Sequence, residues 1–543
     1  MFIQCLELFQ LVLTLISKKM KIKNILIALS LVFFSACSED FLDVLPGDKI
    51  TSANFPENEN DIKFLLNGCY SQLRETSSGS IWEPNLFGFG MWDGATPNTF
   101  NWGNTAISKI GTGQLTSADG GALINRWRTA YGIISRANYL LEAIEAVELK
   151  PEVKSVLKGE AHFLRGLAYS ILVDSYGGVP IIIGVLNSEE AKNISRSSKE
   201  ETWKQAISDY DVAINSLPVN SSEKGRANKG AALGMKMRAY LYQNNYSKVL
   251  EVVKEIEALN KYALFPSYDG LFEIQNENNV EVLFDVQYIR GENSQGSMHD
   301  QFSGIGTGSF TRGSRYVPTQ NLIDAYERID GSQVSYSNFP VNLNNPYDGW
   351  DPRMKSTVVV PGSFFLGFRF PNYLYPGGAY NHPGCRLKQY SSRKYHIETN
   401  LPTVGQSDLN YIVIRYADVI LAKAEAIIEL NGNINEAITL INRIRTGRDD
   451  VKLKPIPLGL SQGEARVKLR HERRIEFALE GLYWSDIKRW DIGKDLYPLV
   501  VRDEKGGIIE TRFPSGYLKH YNLLPIPDSE ISLNNKLTQN PGW

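Results

Sequence analysis

The stretch EVKSVLKGEAHFLRGLAYSILVDSYGGVP, residues 152–180, decides the fold class of this 543-residue chain. Its apolar residues recur at steps of three and four, so they share one stripe of an α-helix. They are Val153, Val156, Leu157, Phe163, Leu164, Leu167, Ala168, Ile171 and Leu172. The Gly-Gly-Val-Pro sequence at residues 177–180 predicts where this helix ends. Because such a stripe is buried only against other elements, the stretch predicts a mostly α-helical protein.

Two later stretches each predict an antiparallel pair of helices. The first pair comprises residues 234–242 and 247–256, and the second comprises residues 417–430 and 434–444. We expect four small residues to let the paired helices approach closely, namely Gly234, Ala239, Ala424 and Ala437. The full tetratricopeptide consensus is absent, but such pairs bury their faces against neighbouring pairs. The pattern therefore predicts a scaffold of tetratricopeptide-like helix pairs rather than a catalytic cleft.

The residue composition changes in the middle of the chain. Residues 60–262 and 407–543 have helical patterns, whereas residues 263–406 are rich in Gly, Pro, Ser, Asn and aromatic residues. The middle region predicts long loops with a few short strands, one of them at residues 280–286. Long loops on a rigid frame often carry function, so we expect a loop-rich ligand-binding face here.

Composition and cysteine usage exclude several classes of protein. The formal net charge is -2, so the chain lacks the excess of positive charge that favours nucleic-acid binding. The four cysteines, Cys5, Cys37, Cys69 and Cys385, form no C-x-x-C pair and have no His at zinc-ligand spacing. We therefore expect neither a metal site nor a cofactor. Cys69 and Cys385 could form one disulfide or remain two separate buried thiols.

The amino terminus has the layout of a secretion signal. Lys21 and Lys23 precede an apolar run at residues 25–34, and Ser35, Ala36 and Cys37 follow. As a helix this run spans about 15 Å, half of a bilayer core of about 30 Å. We predict a signal peptide over residues 1–36, with the true start at Met20. The alternative is that this run and residues 6–16 pair as a helical membrane hairpin.

The residues around Cys37 indicate a lipid anchor. The sequence FSAC at residues 34–37 resembles the lipobox of bacterial lipoproteins, whose cysteine becomes the lipidated amino terminus. The acidic Glu39 and Asp40 resemble the surface-export signal of Bacteroidetes lipoproteins. We therefore predict a lipidated tether over residues 37–59 and a body anchored at the outer membrane, outside the cell.

Five groups of short strings, in order along the chain, resemble the SusD/RagB family of nutrient-binding lipoproteins. They are CSEDFLD (37–43), GEAHFLRG (159–166) with YGGVP (176–180), RYADV (415–419) with AEA (424–426), ERRIEF (472–477) with DIKRW (486–490), and LPIP (524–527) with QNPGW (539–543). The one departure is Trp543, where the family more often ends in Tyr. The resemblance implies a mostly α-helical fold, a SusC-like TonB-dependent transporter as partner, and a ligand site on an exposed irregular face.

The charged residues in these strings are predicted to be structural. Arg473 and Glu476 are three residues apart, so they are expected to pair on a solvated helix surface. Arg415, Asp418 and Glu425 are expected to cap or brace neighbouring helices. The alternative is that these charges form part of a transporter-facing surface.

A sugar site needs flat aromatic rings beside short polar side chains, because sugars present an apolar C–H face and a hydroxyl-rich edge. Three groups in loop-like sequence meet this need. The predicted glycan-binding residues are Trp82, Trp92, Asp93, Asn101 and Trp102, then Arg315 and Tyr316, then Tyr347 and Trp350. The alternative is that these aromatic residues pin long loops to the frame. Trp127, Trp203, Trp484 and Trp490 lie in helical patterns and are predicted to be core.

The sequence carries no motif that favours an enzyme. It contains no G-x-S-x-G, G-x-x-x-x-G-K-[ST] or H-E-x-x-H, and its six histidines are scattered. The expected function is therefore capture of an oligo- or polysaccharide for a TonB-dependent outer-membrane transporter. Two alternatives stay open: a surface glycoside hydrolase, which needs two carboxylates across a cleft, and a scaffold without its own ligand site.

Overall fold

The computed structural model describes residues 55–74, 86–88, 90–101, 103–290, 316–336, 342, 344–365, 368–369, 390–396, 407–502 and 506–543. The chain divides into two compact units, Met1–Asp61 and Ile62–Trp543. The predicted signal peptide and Cys37 lie outside the described residues. Within the described ranges, no helix is both apolar enough and long enough to traverse a bilayer.

Helices form most of the frame. They are α1 (Glu59–Tyr70), α2 (Ala106–Thr112), α3 (Ala122–Ala146), α4 (Pro151–Tyr176), α5 (Ser188–Ala191), α6 (Lys199–Ser216), α7 (Lys229–Tyr242), α8 (Tyr246–Ala258), α9 (Gln320–Ile323), α10 (Pro352–Thr357), α11 (Tyr416–Glu429), α12 (Ile434–Thr446), α13 (Gln462–Glu476), α14 (Tyr483–Arg489), α15 (Gly493–Leu496) and α16 (Asp528–Leu533). Helix α4 is the helix predicted from the opening stretch. Pro151 stands in its first turn, and Gly177 ends it with a φ of +75°.

The long helices pack in chain order. Helix α4 packs on α3 and α6, α6 on α7, α7 on α8, and α8 on α11, which packs on α12 and α13. The helix pairs α7–α8 and α11–α12 are the two pairs predicted from the sequence. The mostly α-helical scaffold of tetratricopeptide-like pairs is thus confirmed.

Gly234 serves a different contact from the one expected. A Cβ at this position would lie 2.8 Å from Leu283 Cδ2 and 2.9 Å from Ile414 Cδ1. Both neighbours belong to a two-stranded antiparallel sheet of β2 (Val282–Val286) and β8 (Tyr411–Arg415). Gly234 therefore lets helix α7 approach this sheet rather than helix α8.

Short strands occur in the loop-rich region, as predicted, and also on both sides of it along the chain. The strands outside β2 and β8 are β1 (Thr99–Asn101), β3 (Tyr316–Pro318), β4 (Val358–Val359), β5 (Phe364–Phe365), β6 (Phe368–Arg369), β7 (Ser391–Ser392), β9 (Leu499–Arg502) and β10 (Ile508–Arg512). They pair two by two as β1–β3, β4–β7, β5–β6 and β9–β10.

The charged strings form a buried ion-pair network instead of solvated pairs. Glu476 accepts hydrogen bonds from Arg415 at 2.6 Å, Arg353 at 2.9 Å and Arg448 at 3.0 Å. Its side chain and those of the three arginines are buried. Burial alone would raise the pKa of Glu476, but Arg448, Arg415 and Arg353 together hold that pKa well below its ordinary range.

Arg473 does not pair with Glu476, so that prediction is wrong. The Arg473 guanidinium donates to Asp418 at 2.5 Å and to Asp486 at 2.8 Å, and all three side chains are buried. Asp418 also accepts from Arg238 at 2.7 Å. Asp418 thus braces α11 against α7 and α13, and its burial removes it from any transporter-facing surface.

The predicted core residues lie where expected. Trp127, Trp203, Trp484 and Trp490 are all buried. Cys69 is a buried free thiol in helix α1, and burial raises its pKa to about 12. Cys385 lies outside the described residues.

Candidate functional site

Strands β1 and β3 bring two of the predicted sugar-binding groups together. Their register sets Asn101 opposite Tyr316. Both residues are buried, and the Asn101 amide Nδ2 donates to Thr105 Oγ1 at 3.0 Å. The structure thus brings these two groups together, but Asn101 and Tyr316 are buried and do not form a surface that a sugar can reach.

Trp92 and Asp93 lie in the core, which corrects their prediction as sugar contacts. The Trp92 side chain is 2% exposed, and its ring stacks on Trp484 with ring centres 5.2 Å apart. Asp93 accepts from the Gly481 N–H at 2.9 Å and from Asn98 Nδ2 at 3.0 Å. Burial raises the pKa of Asp93 to about 6. These two side chains hold the turn Met91–Ala95 to the frame, which is the alternative role considered for them.

Trp350 and Tyr347 also pin loops. Trp350 is buried, with its ring centre 5.1 Å from that of Tyr336. The half-buried Tyr347 donates its hydroxyl to the Val358 carbonyl at 2.7 Å. Since Val358 belongs to β4, this hydrogen bond ties the loop that carries Tyr347 to that strand. Trp82, Trp102 and Arg315 lie outside the described residues and stay predictions.

Among the described residues of this region, Phe364 has an exposed ring that the sequence pattern did not predict. In β5, Phe364 is 66% exposed whereas its neighbour Phe365 is 1% exposed, as alternation along a strand requires. Phe364 stands opposite Arg369 in the β5–β6 hairpin, so both side chains share its outer face. Arg369 donates from Nη1 to Asn344 Oδ1 at 3.1 Å.

We call Phe364, Arg369 and Asn344 the hairpin platform. A flat apolar ring lies there beside a guanidinium and an amide, which is the combination that a sugar needs. The signal in the sequence was SFFLGFRF at residues 363–370, where hairpin alternation turns one of two adjacent Phe residues outward.

Apart from the hairpin platform, a polar groove of about 560 Å³ lies between α1 and the loop at residues 223–226. Phe64 is 64% exposed on its wall, and the Tyr70 ring lies beneath the Arg226 guanidinium at 5.1 Å. The Tyr70 hydroxyl donates to Glu160 at 2.6 Å, and burial raises the pKa of Glu160 to about 7. The groove thus presents one exposed ring, Phe64, beside charged and amide side chains.

Asp285 lines this groove, and Asn410 links its carboxyl group to that of Glu277. Asp285 accepts from Asn410 Nδ2 at 3.1 Å, and Glu277 accepts from the Asn410 backbone N–H at 2.6 Å. Burial raises the pKa of Asp285 to about 6 and that of Glu277 to about 7. Both carboxyl groups thus accept a hydrogen bond from the same asparagine. Across the described ranges, no group of three His, Cys, Asp or Glu side chains has the spacing of a metal site.

The fold and the platform define a class of protein: a helical-repeat scaffold with an exposed aromatic ring and polar groups on short strands and loops. Comparison with known families then specifies the family. A family model described as "SusD family" matches residues 280–543, and one described as "Starch-binding associating with outer membrane" matches residues 40–241. The chain belongs to the SusD/RagB family.

Individual relatives agree along nearly the whole chain. SusD-like protein P25 of Formosa agariphila is 26% identical over 96% of this chain and 98% of its own length. A SusD-like carbohydrate binding protein of Bacteroides fragilis has a TM-score of 0.79 at 26% identity, covering 89% of this chain and 99% of its own. A laminarin binding SusD-like protein, at 21% identity and a TM-score of 0.63, covers 90% of this chain and 100% of its own and shares the fold.

Proposed function

We propose that this protein captures an oligo- or polysaccharide at the cell surface and passes it, unaltered, to a SusC-like TonB-dependent outer-membrane transporter. The observation that carries the proposal is the hairpin platform. The exposed Phe364 ring offers apolar stacking surface, while Arg369 and Asn344 offer hydrogen bonds to hydroxyl groups. We also propose Trp82, Trp102 and Arg315, which lie in loop-like sequence, as sugar contacts.

The family supports a carbohydrate ligand. One matching solved protein is titled carbohydrate binding and another laminarin binding, and one family description names starch. The platform itself argues against a scaffold that has no ligand site.

The proposal includes a signal peptide that ends at residue 36 and directs export of the protein. It also includes a lipid anchor on Cys37. Mass spectrometry of the mature amino terminus tests this part. An acylated cysteine as first residue supports the proposal, and an unmodified Cys37 within a longer chain contradicts it.

Affinity electrophoresis through gels that contain soluble polysaccharides tests the platform. Replacing Phe364 by Ala removes a ring whose burial against a ligand is worth about 1.5 to 3 kcal/mol. We therefore expect binding to weaken about tenfold or more. Circular dichroism should stay unchanged, because a ring that is 66% exposed contributes little to the core.

Phe64→Ala is the matched control, because Phe64 has nearly the same exposure, 64%, but lies on helix α1 at the polar groove. Unchanged retention in Phe64→Ala and reduced retention in Phe364→Ala support the platform. Reduced retention in Phe64→Ala with unchanged retention in Phe364→Ala would place the ligand at the groove and would contradict the hairpin platform as the binding site. Release of shortened sugars during incubation would favour the hydrolase instead.

A further inference from the structure

The stretch of chain that carries the hairpin platform is strongly basic. Residues 352–397 contain seven Lys and Arg residues and no Asp or Glu, whereas the whole chain has 58 basic and 60 acidic residues. The seven are Arg353, Lys355, Arg369, Arg386, Lys388, Arg393 and Lys394. A neutral sugar requires no such excess, because amide and hydroxyl groups can donate to its oxygens and accept from its hydroxyl groups. The positive charge therefore needs a partner either inside the protein or in the ligand.

Two of the seven cations have their partners inside the protein. Arg353 is buried against three carboxylates, and the buried Lys394 donates to Glu480 at 3.0 Å. Both belong to the ion-pair network of the frame, so they are not available to a ligand. Arg386 and Lys388 lie outside the described residues.

The other three cations lie at the hairpin. Arg369 is exposed on the platform itself, and its Nη1 donates to the neutral amide oxygen of Asn344 at 3.1 Å. The half-buried Arg393 has its guanidinium 5.7 Å from the ring centre of Phe365 in β5. Its Nη1 donates to the Lys355 carbonyl at 3.2 Å, so the exposed Lys355 is its neighbour. One short hairpin is thus flanked by three positive charges that solvent reaches.

The carboxylates of this region do not balance these charges. Among the described residues, no carboxylate pairs with Lys355. Asp348 is exposed on the neighbouring loop, but its backbone carbonyl accepts from Arg328 at 3.1 Å, so a fourth cation stands beside it. Over residues 342–397 the chain has seven basic and two acidic residues, and one of the two, Asp351, is buried in an ion pair. The strands and loops around the platform therefore keep a net positive charge.

We propose that the glycan captured at the hairpin platform is anionic, an oligo- or polysaccharide whose sugars carry carboxylate or sulfate groups. The inference rests on the capture function proposed above. The Phe364 ring stacks on the C–H face of one sugar, and the Arg369 guanidinium beside it binds an acidic group of the same sugar or of the next one along. Lys355 and Arg393 add to the positive potential that attracts the chain.

An acidic ligand uses this surface better than a neutral one does. A guanidinium forms charge-assisted hydrogen bonds with an anionic oxygen that are roughly twice as strong as those between neutral groups. The protein as a whole has a formal charge of -2, so it does not attract polyanions through its net charge. Binding of an anionic glycan would therefore depend on the local cations of the platform.

Isothermal titration calorimetry of the purified chain against matched polysaccharides tests the proposal. The panel holds starch and laminarin as neutral polymers, alginate and polygalacturonate as carboxylated ones, and carrageenan and chondroitin sulfate as sulfated ones. We expect at least one charged polymer to bind, and its carboxyl-reduced or desulfated form to bind about tenfold more weakly or worse. Raising the sodium chloride concentration should weaken the charged ligand and leave any neutral one nearly unchanged. Which of the two charged groups of polymers binds decides between carboxylate and sulfate.

Three variants assign the effect to the platform. Arg369→Gln should weaken binding of the charged polymer about tenfold, and Arg369→Lys, which keeps the charge but loses the planar fork, should weaken it less. Lys355→Gln should weaken it about threefold. Arg443→Gln is the control, because it removes one charge from an exposed position on helix α12 and should leave binding unchanged.

The outcomes separate this inference from the capture function itself. Binding of starch or laminarin with no binding of any charged polymer overturns the anionic ligand and leaves capture standing. Equal losses in Arg369→Gln and Arg443→Gln also overturn it, because the attraction would then come from net charge alone. No binding of any polymer contradicts capture as well.

Discussion

Replacing Glu476 by Gln tests the buried network at the residue where most of its contacts meet. The carboxylate accepts from Arg415, Arg353 and Arg448 at 2.6, 2.9 and 3.0 Å. Hydrogen bonds to charged groups are worth about 1.5 to 3 kcal/mol each, which would suggest a loss of roughly 4 to 9 kcal/mol. The three arginines keep other carboxylate partners, however, so we expect the cost of breaking one buried pair, about 3 to 5 kcal/mol.

Those remaining partners are visible in the structure. Arg448 and Arg415 both donate to Glu281, at 2.7 and 2.8 Å, and Arg353 donates to Glu472 at 2.6 Å. A glutamine amide would accept from one guanidinium but would point its own N–H groups at another. The variant therefore keeps the fold at neutral pH with a lower free energy of unfolding.

Urea denaturation followed by circular dichroism and by tryptophan fluorescence measures this loss, and agreement of the two probes checks that one transition is observed. Glu251→Gln is the control, because Glu251 pairs with Lys248 on the exposed face of α8 and should leave the midpoint nearly unchanged. A loss below about 1 kcal/mol in Glu476→Gln would refute the reasoning that the network is structural.

Two further predictions follow from buried groups. Because burial raises the pKa of Glu160 from 4.5 to about 7, the folded state holds this proton more tightly, and the wild type loses stability as pH rises through that range. Glu160→Gln should remove this pH dependence of the unfolding free energy and should be about 3 kcal/mol more stable than the wild type at pH 8. Urea midpoints measured across pH test this, and parallel pH profiles of the two proteins would contradict it. Gly178→Ala should destabilise by about 1 to 3 kcal/mol, because the new Cβ overlaps the Ser197 carbonyl oxygen. Gly68→Ala in helix α1 should stabilise the protein by up to about 1 kcal/mol in the same assay, because the new Cβ meets nothing within 4 Å. Equal effects of Gly178→Ala and Gly68→Ala on the unfolding free energy would count against the packing argument.

The helical frame could be predicted because its signal is local. The stripe of α4 recurs within a few residues, and turns separate the helices of the pairs α7–α8 and α11–α12. The buried network could not be predicted in the same way. Arg415 and Glu476 are 61 residues apart in sequence, and charged residues on a helix pattern usually indicate a solvated face.

The site was harder to predict for a related reason. Trp92 and Asp93 alternate with polar residues like a sugar site, but Asp93 finds its donor at Gly481, which is 388 residues away in the sequence. Phe364 was missed because a two-residue strand is too short for a periodic pattern. Contacts between residues far apart in the sequence decide which ring is buried and which is exposed. A single sequence does not show which residues make those contacts.

Affinity electrophoresis of the purified wild-type chain through native gels that contain a panel of soluble polysaccharides, starch and laminarin among them, tests the central claim most directly. The account predicts slower migration in at least one gel, with no shortened sugar released on incubation. Unchanged migration in every gel, or release of shorter sugars, would contradict capture as the function of this protein.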